Sequence, residues 1–285
     1  MLAIALGLTA ALLWALHDLL ARKISQGAAL LPILTMVLGA GLLGLLPVGL
    51  LVGGWEEMTL MAWTAALASG LALALAIGGL FRALSLAPVR VVAPVVGAFP
   101  LLILLIAMAQ GRPVSAGDWF AVLAIVAGIA IVAIAARSDA PEGYAASPVR
   151  AMAWAALSAA GYAAALALSQ EATRRGSELP VILAARMAAF LVMLALLLWH
   201  RGSIAAQRAN LGLLGIMGLL DALGLALVTA SGGLPRAEHA SVAASLFGVL
   251  TVLLAAWFLK ERVRTTQWLG IAYVFGGVAA LGLQG

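Results

Sequence analysis

Five ionisable residues, His17, Asp18, Arg82, Arg186 and Asp221, stand inside otherwise apolar runs of this chain. At membrane depth such a group costs at least about 2.5–3.5 kcal/mol on insertion scales, so each is a candidate for chemistry. Asp221 has ten apolar or glycine residues before it and seven after. It needs a partner, and Arg186, nearly two turns into another apolar run, is the best candidate. A buried Arg186–Asp221 charge pair would join neighbouring helices; otherwise Asp221 is a cation or proton site. His17 lies three residues after Trp14 and shares its helical face. An unperturbed pKa near about 6.5 suits His17 to proton coupling or substrate binding, and a hydrogen-bonded packing histidine is the plainer alternative. Asp18 and Arg22 have the spacing of a helical ion pair. Arg82 either snorkels to the interface or faces a cavity and meets an anionic substrate group.

Hydroxyl groups complete the polar set. Ser158, Tyr162 and Ser169 fall in one apolar run, and Ser241, Ser245 and Thr251 in another, with Phe247 and Gly248 between. A serine in a membrane helix often bonds only its own backbone. No P-loop, zinc-binding H-E-x-x-H or Gly-x-Ser-x-Gly elbow occurs. The three histidines (His17, His200 and His239) are scattered and there are no cysteines, so thiolate metal sites and cysteine nucleophiles are excluded. No catalytic residue, metal or cofactor is expected.

The elements that must hold these groups follow from composition. Of 285 residues, 65% are hydrophobic and 9% charged, against about 25% charged in soluble proteins. One span takes roughly 20 apolar residues. Ten such runs fill the chain, near 2–21, 29–53, 60–84, 89–109, 117–136, 149–169, 179–199, 211–232, 239–259 and 266–284. The alternating pattern of a membrane barrel is absent, and backbone in lipid must satisfy itself, which leaves helices. Nothing basic precedes the first run, while Arg22 and Lys23 follow it, unlike a cleaved leader. The net charge of +5 is spread singly between spans. It suits anchoring to anionic lipid, and no nucleic-acid partner is expected. Pro94 and Pro100 interrupt the fourth span. Glycines crowd the second and eighth, where small residues allow helices to approach closely.

Residue n resembles residue n+149. Thr9, Ala10 and Ala11 fall on Ser158, Ala159 and Ala160; Trp119 falls on Trp268, Ile125 on Val274 and Gly128 on Gly277. Each half holds five spans, and an odd number forces the second copy to enter from the opposite side. The expected fold is therefore an all-α integral membrane protein of ten transmembrane helices. It would form two inverted five-helix repeats, 1–140 and 148–285, with a site near the midplane between them.

The same residues resemble a known family. Trp14 with its polar cluster, the stretch FRALSLAPVRVVAPV from the third span into the fourth, and Glu261, Gln267, Gly270 and Gly277 near the end are similar to the drug/metabolite transporter superfamily, in its bacterial EamA-type branch. Pro100, Asp118 and Gly128 are the first-copy counterparts. Two departures stand out: Gly248 where the ninth span usually has proline, and Gly111-Arg112-Pro113 where a Gly-Glu pair is common. The resemblance implies carriers without ATP hydrolysis, many exporting amino acids or other small metabolites, in the bacterial inner membrane. Carried onto this chain, it places Trp14, Gly78, Gly79, Arg82, Phe99, Tyr162, Ser245 and Thr251 around the substrate, with His17 added from its position beside Trp14.

The expected function is thus a secondary transporter of a small polar or zwitterionic metabolite working by alternating access. The expected partners are the small-molecule substrate and membrane lipid, and the chain is expected to be a monomer, a dimer being the alternative. An integral-membrane enzyme or a non-transporting scaffold is the rival reading. Lys and Arg counts in the loops would put both termini outside, whereas the resemblance puts them inside, and orientation stays open.

Overall fold

The computed structural model describes residues 1–24, 29–87, 92, 95–135, 148–258 and 263–283. Among the described residues the regular structure is helical. In chain order it comprises α1 (Leu2–Ile24), α2 (Leu30–Val52), α3 (Leu60–Leu84), α4 (Phe99–Ala109) and α5 (Ala116–Ala135). There follow α6 (Pro148–Thr173), α7 (Glu178–Trp199), α8 (Leu211–Ala230), α9 (Ala237–Ala244), α10 (Phe247–Phe258) and α11 (Thr265–Gly282). Taking α9 and α10 as one unit, Ala237–Phe258, eight helices among the described residues are long and apolar enough to cross a membrane, and α4 is a shorter apolar helix. Large apolar side chains such as Leu51, Phe120, Leu191, Trp257 and Leu269 stay exposed on the outside, a surface for lipid rather than water. The protein is a multi-pass integral membrane protein.

Two spans are broken. α4 begins at Phe99, behind a turn at Gly97 and Ala98 that follows helical residues Val92, Val95 and Val96. Pro100 opens the helix rather than kinking it, since its missing N–H is one a first turn leaves unpaired anyway. Pro94 and Glu261 lie outside the described residues, as do Arg22's side chain and most of the polar break between the halves. The second interruption is at Ser245 and Leu246, between α9 and α10. No proline stands there. The backbone instead tightens, with Ser245 N–H donating to Val242 and Leu246 N–H to Ala243, and the Ser245 hydroxyl adds a 2.6 Å bond to the Val242 carbonyl.

Helix pairing exchanges the two halves. α1 packs on α8 and α6 on α3; α2 packs on α8 and α7 on α3; α2 meets α7, and α5 meets α11. Close crossings need glycine. A Cβ on Gly41 would strike the Gly218 carbonyl of α8, and one on Gly128 the Gly270 carbonyl of α11.

One end of the bundle gathers a particular set of chain segments. Thr59, which caps α3, donates to the Arg175 carbonyl after α6 at 2.9 Å. Arg174 donates to Gly232 after α8 at 2.8 Å. Arg112, after α4, reaches Glu238 at the start of α9. The first turn of α1 lies beside Arg236 and His239, and Gly282 backs onto Met1. At the opposite end Leu20 packs with Ile33 and Leu214, and Ala83 with Val92 and Ala151. The N-cap chemistry also repeats. Ser115 N–H donates to the Asp118 side chain at 2.7 Å, and Arg264 N–H donates to the Gln267 side chain at 2.9 Å, each reaching back across the first turn of its helix.

Candidate substrate cavity

A cavity of about 170 Å³ lies in the middle of the bundle. Residues of α1, α2, α3 and α4 from one half and of α6, α8 and α10 from the other line it. Its volume is below the roughly 300–1,000 Å³ of pockets for drug-sized ligands, room for a small molecule only. Trp14, Phe99, Tyr162 and Phe247 supply aromatic walls, and His17, Asp18 and Asp221 the ionisable groups.

The broken spans position two of the aromatics. Phe99 follows the turn before α4, and Phe247 follows the break after α9. The Phe99 and Tyr162 rings lie 6.2 Å apart, and Trp14 meets Phe247 edge to face at 6.0 Å. The Trp14 indole N–H is taken by the Asp221 backbone carbonyl at 3.3 Å, which fixes the ring between α1 and α8.

The acidic groups differ in their partners. The Asp18 carboxylate lies 3.1 Å from His17 Nδ1. Arg186 Nη1 donates to Asp221 Oδ2 at 2.9 Å. Arg186 is 0% exposed, whereas the Asp221 side chain is 28% exposed on the cavity side. The guanidinium fits because Gly41 leaves its space empty, and its Nε and Nη2 have no protein partner. A charge pair so placed holds α7 to α8 and presents one carboxylate to the cavity.

Other residues expected around the substrate lie elsewhere. Arg82, near the end of α3, is exposed and does not line the cavity; two residues from the helix end, its long side chain reaches the surface. The Ser245 hydroxyl is turned to Val242 and that of Thr251 to the Phe247 carbonyl at 2.8 Å, so both are spent on their own backbone. Gly79 is a packing glycine: a Cβ there would stand 3.1 Å from the Trp154 carbonyl of α6. Gly78 is half-buried, has nothing within 4 Å of a Cβ and is not in the cavity wall. The structure therefore brings together Trp14, His17, Phe99 and Tyr162, and leaves Gly78, Gly79, Arg82, Ser245 and Thr251 outside. Ser158 and Ser169 likewise bond backbone carbonyls, of Ala76 and Leu166.

Sequence reasoning missed a buried charge network at the end of the bundle that carries the first turn of α1. Asp118 of α5 accepts from Arg236 and lies 3.1 Å from His239 Nε2, while Glu238 bonds Arg112 at 2.9 Å and Arg236 at 3.1 Å. Asp118, Glu238 and His239 are each at most 2% exposed. The network ties the first half to the second. Its members lie 118 to 126 residues apart across the halves, a separation at which spacing carries no signal. Among the described residues no group of three or more His, Asp or Glu side chains is placed to hold a metal ion.

Comparison with known proteins agrees with this architecture. The profile of the EamA-like transporter family matches residues 1–134 and again 149–283. A solved crystal structure of a protein 23% identical in sequence superposes with a TM-score of 0.79, over 99% of this chain and 96% of that one. That likeness concerns the fold. No curated protein matches the chain in sequence.

Proposed function

Because the chain belongs to the EamA-like transporter family, within the drug/metabolite transporter superfamily, we propose that it is a secondary transporter working by alternating access. The solute would be a small polar metabolite in the size range of amino acids and their amine relatives. Export is the direction the family resemblance favours, across a bacterial inner membrane, with the monomer in lipid as the working unit. The observation that carries this reading is the cavity itself: both halves build its wall, and its polar groups converge on one space.

Ten spans in two inverted repeats, 1–140 and 148–285, underlie the mechanism. The exchanged helix pairs support this arrangement. So do the segments gathered at one end: the start of α1 lies there with the end of α6, and the start of α3 with the end of α8. Repeat-related helices running in opposite directions would account for both. The broken fourth and ninth spans flank the cavity, as discontinuous helices do in other carriers.

Uptake and counterflow of radiolabelled amino acids and amines in proteoliposomes test the reading. Saturable transport that falls severalfold in Trp14→Ala and Tyr162→Ala, with both variants folded, is the expected result. Equal leak through protein-free and protein-bearing vesicles for every solute would overturn it.

A further inference from the structure

The arginines at the two ends of the bundle are not employed alike. The end that carries the first turn of α1 holds Arg112, Arg174, Arg175 and Arg236, and each is in an ion pair. Arg112 bonds Glu238 at 2.9 Å, Arg174 and Arg175 both bond Glu171 at 2.6 Å, and Arg236 bonds Glu238 at 3.1 Å. Asp118 is a second partner of Arg236, and Glu56, Glu57 and Glu178 stand exposed at the same end. Carboxylates outnumber arginines there.

The opposite end carries Arg82, Arg150, Arg201, Arg208 and Arg264, all exposed. Packing fixes their place. Ala83 and Ala151, the neighbours of Arg82 and Arg150, share one apolar cluster. Arg201 and Arg208 lie between the end of α7 and the start of α8, where Leu214 meets Leu20. Arg264 donates to the Ala135 carbonyl at the end of α5, at 3.3 Å. Among the described residues no carboxylate pairs with any of these five. By sequence, Arg22, Lys23, Arg90, Arg137, Lys260 and Arg262 fall beside the same helix ends, with Asp139, Glu142 and Glu261 as the acids. Large aromatic rings mark the level of this end. Trp199 in the last turn of α7, Trp257 in the last turn of α10 and Trp268 in the first turn of α11 are 84%, 81% and 54% exposed, and exposed tryptophans settle at the headgroup layer.

A guanidinium already held by a carboxylate has little left to offer a lipid. An unpaired one at headgroup depth can take a phosphate in its donor fork. Lys and Arg in short connections stay on the cytoplasmic side, where the leaflet is anionic and attracts them. The count and the pairing point the same way. We propose that the end bearing the five unpaired arginines is a docking surface for anionic phospholipid headgroups and lies in the cytoplasmic leaflet. The start of α1, the end of α11 and the Asp118 network then face the outside. This orientation reverses the one that the family resemblance implies, and it rests on neither the solute nor its transport.

The natural chain has no cysteine, so single thiols report sidedness in the full protein. Gln110, after α4, is exposed at the end with the first turn of α1, and Ser203, after α7, is exposed at the opposite end. In bacterial spheroplasts a membrane-impermeant maleimide should label Gln110→Cys directly and Ser203→Cys only after permeabilisation. Any other pattern in the folded variants, the reverse above all, would overturn the orientation. The lipid contact is read in phosphatidylcholine vesicles through quenching of the exposed tryptophans by brominated phospholipid. Brominated phosphatidylglycerol should quench more than brominated phosphatidylcholine at equal mole fraction. Replacing Arg201 and Arg208 together with Gln should lower the affinity for phosphatidylglycerol by about fivefold or more, and the same change at Arg174 and Arg175 should leave it within about twofold. Equal quenching by the two lipids, or an undiminished preference in the folded Arg201→Gln, Arg208→Gln variant, would overturn the assignment of the surface.

Discussion

Removing the charge of Asp221 should harm this protein more than removing that of Arg186, although the two form one ion pair. The asymmetry lies in burial: Arg186 is 0% exposed, while the Asp221 side chain is 28% exposed to the cavity. In Asp221→Asn the guanidinium keeps its charge, since arginine does not give up its proton in proteins, and no other acid bonds it. Breaking a buried pair from one side typically costs about 3–5 kcal/mol. At roughly 2–4 °C per kcal/mol for chains of this order of size, the melting temperature should fall on the order of 10 °C. In Arg186→Met the stranded carboxylate can take a proton or meet cavity water, and the loss should be about 1–3 kcal/mol. The double variant removes both charges and should recover most of the difference, because replacing a buried pair with neutral groups is often close to neutral. Thermal unfolding of the four proteins in one detergent closes the cycle, with an expected coupling of about 2 kcal/mol or more. Equal losses in the two single variants, or strict additivity in the double, would refute the reasoning.

Four further outcomes follow from the geometry. Ser245→Ala should leave transport within about twofold of wild type, since it removes a bond worth about 0.5–1.5 kcal/mol to its own helix and no cavity contact; initial uptake rates check this. Arg82→Ala should likewise preserve both folding and transport, and a large loss of either would show that its side chain meets the solute or a partner. Gly128→Leu should destabilise by about 1–3 kcal/mol or more by forcing α5 and α11 apart, whereas Gly276→Ala, with nothing within 4 Å of its Cβ, should melt with the wild type. Asp118→Asn keeps the helix cap but strips the charge that faces Arg236, and should lower stability by about 1.5–3 kcal/mol, read as a fall in melting temperature in detergent.

The helical membrane class was legible because apolar runs of span length admit little else, and the family resemblance because its residues are spread over both halves. The aromatic wall was legible too, as Trp14, Phe99 and Tyr162 are large groups beside polar residues or helix breaks. The direction of the hydroxyls was not legible, for a physical reason. Ser245 and Thr251 sit on helices whose own carbonyls lie within reach, so their presence near a break says nothing of which way they point. Phe247 could have been found from its place beside a break, had that break carried a proline; here the backbone tightens without one. The Asp118 network was invisible because its partners belong to different halves and meet only through the packing of α5 against the start of α9.

The repeated helix cap bears on how such a protein rests. Asp118 and Gln267 occupy equivalent places and perform the same backbone service. Asp118 alone of the two carries charge, and that charge binds the halves together at one end. A carrier with identical halves would spend equal time open to either side, because its two end states would be the same object viewed from opposite directions. Substituting a carboxylate for an amide at one of two matched positions removes that degeneracy. In an alternating-access carrier of the proposed kind the resting population would then be set by sequence divergence between the halves, and the acid at residue 118 would be one source of that divergence.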